Sequence, residues 1–168
     1  MNNLFMVIDV ESIGLHGQGF AVAWVVVKRD GERIEEGYLA CDPALCEGPN
    51  ESRLWVAENV PPLVKTCRDR AQLLNEFWKV WRSWADDGAV MVADCGWPVE
   101  TNFLSDCVKQ DPVGREWSGP YPLYDLASVF LVIGVDPTAT RARLADEMPA
   151  HHPLMDARQT ARQLLEVV

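Results

Sequence analysis

Acidic residues in this chain fall at places where a metal-assisted reaction would use them. Leu4-Phe5-Met6-Val7-Ile8-Asp9-Val10-Glu11 is a run of five apolar residues that ends in Asp-x-Glu. Such a run reads as a buried strand delivering two carboxylates at its end. Strand side chains alternate faces, so Asp9 and Glu11 share one, with their Cβ atoms roughly 7 Å apart. Two carboxylates held together repel unless protons or cations compensate. Hard oxygen ligands at this spacing suit magnesium or manganese.

Further acids repeat the placement. Ala89-Val90-Met91-Val92-Ala93 is a second short buried strand, and it ends on Asp94. Glu100 lies in the first turns of the helix that follows, and Asp156 opens the last helix, five residues after His151. One acid among 25 says little. Several at element ends converging on one sheet edge would make a site for two divalent ions. Two ions bracketing a phosphate activate water on one side and neutralise the leaving oxygen on the other. A histidine beside them, with the type's ordinary pKa of about 6.5, suits the role of general base. His151 fills that place, and His152, before Pro153, is expected to be held extended and facing away.

The elements that must position these groups alternate between two periods. Leu4–Val10, Phe20–Lys28 and Arg33–Ala40 read as three consecutive strands, with Asp30-Gly31 turning the second into the third. Residues 41–68 carry five prolines and glycines and read as an irregular excursion with one helical turn. Beyond Asp69, Leu73, Leu74, Phe77, Trp78, Trp81, Trp84 and Ala85 recur at spacings of three and four, the stripe of an amphipathic helix whose tryptophans serve the core. Strand 89–93, a helix from Pro98 to about Lys109, a short strand 122–124 and a helix capped by Asp125 follow. The final helix starts near Pro153 or Asp156, and Ala157, Thr160 and Ala161 give it a small inner face for close approach to a sheet. The plan is α/β, with helices on a mixed sheet, and residues 1–168 form one domain.

Composition narrows the function. A length of 168 residues at 48% hydrophobic suits one core. No apolar run approaches the ~20 residues that cross a bilayer. Five cysteines without a CxxC pair are expected to be free thiols, which, with no basic leader, points to the cytoplasm. A formal charge of −10 argues against coating nucleic acid by bulk electrostatics. It leaves room for an enzyme whose bound cations carry the positive charge locally.

At Asp9-Val10-Glu11, the acidic middle segment and His-x-x-x-x-Asp-Ala at 151–157, the sequence resembles the DEDDh exonucleases, the group of ribonuclease T, oligoribonuclease and polymerase proofreading subunits. The resemblance spans nearly the whole chain. It implies a ribonuclease-H-like three-layer fold, a mixed five-stranded sheet with helices on both faces. It also implies a 3′–5′ exonuclease using two Mg2+ or Mn2+ to release nucleoside monophosphates from single-stranded ends. Asp9, Glu11 and Asp156 would bind the ion that carries the nucleophilic water, Asp9 would also touch the second, and His151 would be the base. The middle motif departs from the family pattern: matching Leu104 to its apolar position puts Glu100 where the family has Asp, and Asp94 where it has His. Asp94, with the right length at the tip of an adjacent strand, is preferred as the ligand, and Glu100 is kept as an alternative or supporting one. Gly14 and Leu15 behind the first motif, with Trp97 and Phe103, are the expected contacts to the terminal nucleotide. RNA is expected before DNA, by analogy with the small stand-alone members, and a homodimer is compatible with the resemblance. The alternative is a catalytically silent domain of the same fold that binds nucleic acid or a polymerase.

Overall fold

The computed structural model describes residues 3–168. Its centre is a five-stranded sheet in the order β3-β2-β1-β4-β5. The strands are β1 (Leu4–Ser12), β2 (Gly19–Lys28), β3 (Arg33–Ala40), β4 (Val90–Ala93) and β5 (Tyr124–Asp125). β1 pairs antiparallel with β2 and parallel with β4, so the sheet is mixed. β1 and β2 are apolar along nearly their whole length because both of their faces are covered. β3 is one of the two edge strands and meets solvent with Arg33 and Glu35, charges that discourage pairing with another chain.

The alternation along β1 separates two cores. Met6, Ile8 and Val10 face α2 (Arg70–Asp86) and α3 (Val99–Lys109), packing with Leu74, Phe77, Trp81, Phe103 and Leu104. Phe5 and Val7 face the opposite way, toward α5 (Leu126–Val132) and α6 (Pro153–Leu165). Ala157 and Ala161 are the residues with which α6 meets β1 and β2, and their size lets the helix axis approach the sheet. Since Asp9 and Glu11 continue the Phe5–Val7 face, this register points them at the start of α6.

Local signals end the elements where the sequence suggests. Asp69 caps α2 by accepting from the Gln72 N–H at 2.8 Å, and Asp125 caps α5 through the Ser128 N–H at 2.7 Å. Trp78 and Trp81 lie in the core, as the helical stripe implies. The expected strand at 122–124 is shorter and later, with only Tyr124 and Asp125 paired to β4. The excursion at 41–68 departs most from expectation. It contains α1, a ten-residue helix at Asn50–Asn59, where the sequence suggests a single turn. Only Val56 of α1 is buried, so no apolar stripe announces it. Its bounds are nevertheless marked by Pro49 before it and by Pro61-Pro62 after it.

Candidate active site

The site lies at the end of β1 and is built from four elements. β1 carries Asp9 and Glu11. Glu100 stands in the first turn of α3, and its carboxylate accepts from the Val10 N–H at 3.3 Å, between the two β1 acids. Asp156 stands in the first turn of α6. Asp94 follows β4 directly. That strand pairs parallel with β1 through Ile8 and Ala93, which sets Asp94 level with Asp9.

Burial and mutual repulsion govern the electrostatics. Asp9 is held well above the ordinary carboxylate range, first by burial and then by Glu11, Asp156, Glu100 and Asp94. Glu11 is pushed up to about 8 by burial, then by Asp156 and Glu100. Burial likewise pushes Glu100 up to about 7, although hydrogen bonds from its own N–H and that of Val10 work against the rise. Asp94 is raised by burial, with Arg141 opposing and Asp125 and Asp156 assisting. Asp9, Glu11, Glu100 and Asp94 thus resist ionisation, and a cation placed among them would favour their charged forms.

The last motif wraps around Asp156. His151 takes a left-handed backbone conformation, φ 59°. That conformation costs a residue with a Cβ roughly 1–2 kcal/mol. The bend lets the His151 N–H donate to Asp156 Oδ2 at 3.1 Å, while Arg143 Nη1 donates to Oδ1 at 2.6 Å. One donor atom each from Glu11, His151 and Asp156 lie within 4.8 Å of one another. Two carboxylates and an imidazole at that separation could hold a metal ion. His152 turns away from this cluster, as its position before proline suggests. Its Nδ1 caps α6 by accepting from the Leu154 N–H at 3.2 Å, and its ring meets Tyr38 edge-on with centroids 5.3 Å apart.

The two acids of the middle motif differ in burial. Glu100 is 8% exposed and hydrogen-bonded within the cluster, whereas Asp94 sits at its solvent rim opposite Arg141. The nucleotide-contact residues divide. Leu15, 65% exposed, tops a tight turn just after a β-bulge that follows Glu11. Gly14 makes that turn with φ 75°, and a Cβ there would also strike Ser52 of α1. Trp97 is 68% exposed and stands 6.4 Å from the His16 ring. Phe103 is a correction. It is 1% exposed, packed edge-on against Phe77 under the sheet, and has no face to offer a base.

Two residues at the site were not anticipated. Trp55 of α1, 45% exposed, meets the His151 ring edge-on at 5.0 Å between centroids. Its helix carries no apolar periodicity, so the only available signal was an isolated tryptophan between prolines. Arg143 reaches Asp156 across a 13-residue separation, and nothing local in the sequence marks it.

Strand order, the two helical layers and acids gathered at the end of the first strand define the class: this is a domain of the ribonuclease-H-like fold. Solved structures similar to it include exonucleases I. A zinc-bound E. coli exonuclease I complex with single-stranded DNA superposes with a TM-score of 0.69 at 14% identity, over 98% of this chain and 40% of that one. A moderately thermophilic exonuclease I from Methylocaldum szegediense gives 0.66 at 16% identity, over 98% and 40%. A product-bound exonuclease I gives 0.66 at 13% identity, over 97% and 42%. The chain thus spans about two fifths of the length of these neighbours. No family model matches the sequence, and no curated protein matches it either.

Proposed function

We propose that this protein is a divalent-metal-dependent 3′–5′ exonuclease acting on single-stranded nucleic acid and releasing nucleoside monophosphates. The observation that carries the reading is the grouping of Glu11, His151 and Asp156 beside Asp9 and Glu100, at one end of a sheet whose structural neighbours are exonucleases I. Asp9, Glu11 and Asp156 are the proposed ligands of one cation. Asp9 with Glu100 holds the second, Glu100 taking precedence over Asp94 because it reaches the centre of the cluster. Cations held there supply charge that acidifies an attacking water and neutralises the departing oxygen. His151 accepts the proton of that water on an imidazole nitrogen as the oxygen–phosphorus bond forms and the bond to the leaving 3′-oxygen breaks. Leu15, Trp55 and Trp97 offer exposed apolar surface around the cluster for the terminal nucleotide.

Between the two sugars the proposal keeps the expectation of RNA, and the assay decides it. The sequence resemblance favours RNA, whereas the E. coli neighbour is bound to single-stranded DNA. The assay therefore takes both polymers, 5′-labelled, single- and double-stranded, with manganese or magnesium and an Asp9→Ala control. The expected result is a ladder of products shortened from the 3′ end, with mononucleotides released and no ladder from the control. Oligomers bound but never shortened would sink the proposal in favour of the silent domain, and so would an active Asp9→Ala.

A further inference from the structure

Among the described residues, Arg143 is the one guanidinium hydrogen-bonded directly to a carboxylate of the acid cluster. The pair is largely shielded, its side chains 22% and 16% exposed, so solvent and salt screen it little. A second bond, from Arg143 Nη1 to the Glu147 carbonyl at 3.0 Å, fixes the guanidinium's approach. The segment that carries it is fastened separately. The buried Glu147 carboxylate accepts from the Leu144 N–H at 2.8 Å and from Arg162 Nε at 2.6 Å. The arginine side chain can therefore move while its backbone stays. Room for that movement exists: Arg143 lines a cavity of about 270 Å³ whose other walls include Asp94, Arg141, Thr138, Gln159 and Gln163, so the Asp94 carboxylate is there to balance the second guanidinium.

We infer that Arg143 is a resident counter-cation which a divalent ion must displace from Asp156, so that metal loading and this ion pair exclude each other. The inference rests on reading the acid cluster as a metal site. In the absence of metal, the guanidinium places positive charge against Asp156, one of the acids that crowd Asp9 and Glu11. It does so by occupying Asp156 Oδ1, one of the oxygens a metal needs, and by placing positive charge where a dication would enter. On loading, the guanidinium withdraws into the polar cavity. Two ligands competing for one carboxylate are negatively coupled, and couplings of this kind usually amount to about 5–150-fold in affinity.

The test is a calorimetric manganese titration of the parent, Arg143→Met and Arg143→Lys, each also melted in EDTA and in saturating manganese. Arg143→Met should bind manganese about tenfold tighter or more than the parent and melt lower in EDTA, with the deficit closing in manganese. Arg143→Lys keeps the charge and should bind close to the parent affinity. Equal or weaker binding by Arg143→Met, with the parent binding normally, would overturn the displacement and make Arg143 a positioning residue for Asp156. Absence of binding in the parent and both variants would overturn the metal-site reading itself, and the inference with it.

Discussion

Chelating the metal should make this protein less stable as pH rises from about 4.5 to about 8. Glu11 and Glu100 start from an ordinary 4.5 and are pushed to about 8 and about 7 in the fold, and Asp9 and Asp94 are raised in the same direction. Between the unfolded and folded values the native state holds more protons than the unfolded chain, so stability falls with pH across that window. For Glu11 and Glu100 the contribution is fully present below about 4.5 and gone above about 8. For Glu11 alone the displacement is 8 − 4.5, about 3.5 units, a ceiling of ~5 kcal/mol at 1.36 kcal/mol per unit. Burial comes first and the acids also repel one another, so the shifts do not simply add, and the loss for the whole cluster should be on the order of 5 kcal/mol, a large part of a typical domain's stability. His152, lowered from 6.5 chiefly by burial, works in the opposite sense but is a single half-buried group. Carboxylates lowered by ion pairs and hydrogen bonds, such as Glu36 and Glu147, act below about 4.5 and leave the window clear. Urea denaturation followed by tryptophan fluorescence, at pH 5 to 9 in EDTA, measures the slope. Glu11→Gln should flatten it and be the more stable protein at pH 8.5. A parent whose stability is level or rising over this range would refute the reasoning.

Asp9→Asn should lose at least ~10³-fold in turnover and, in EDTA at pH 8, melt above the parent, because a mutually repelled charge is gone; near-normal activity would remove Asp9 from the site. Millimolar manganese should raise the parent's melting temperature, with a gain of about 2.7 kcal/mol at a hundredfold excess over Kd, and a titration without any shift speaks for the silent domain. His151→Ala should depress turnover by ~10²–10⁴-fold while retaining manganese binding, the signature of a base; a matching fall in metal affinity would make His151 a ligand, which its distance to Glu11 and Asp156 also allows. His152→Ala should leave turnover intact and cost about 1 kcal/mol of stability, since it removes the cap of α6.

Much of the site was legible because strand and helix periods report on faces. Asp-x-Glu at the end of an apolar run can only present both acids to one side, and an acid in the first turn of a helix must lie near the helix start. The positions of Asp9, Glu11 and Asp156 follow from that. Which of Asp94 and Glu100 lies nearer β1 does not, because it depends on how far α3 tilts its first turn toward that strand, and helix tilt is decided by packing. Phe103 shows the same limit. Its helix was recognisable, but whether an aromatic on it faces the cleft or Phe77 is a matter of rotation about the helix axis.

The sequence by itself determined the strand–helix order, the two-period patterning that buries β1 on both faces, and the acids at element ends. All of these are written in local spacing and side-chain type. Only the tertiary structure decided that α1 forms and sets Trp55 against His151, and that Arg143 takes an oxygen of Asp156. α1 buries a single residue, and the Arg143–Asp156 pair joins segments whose separation matches no helical or strand period. Such contacts exist because the chain closes around a common core, and they leave no periodic trace in the residues that make them.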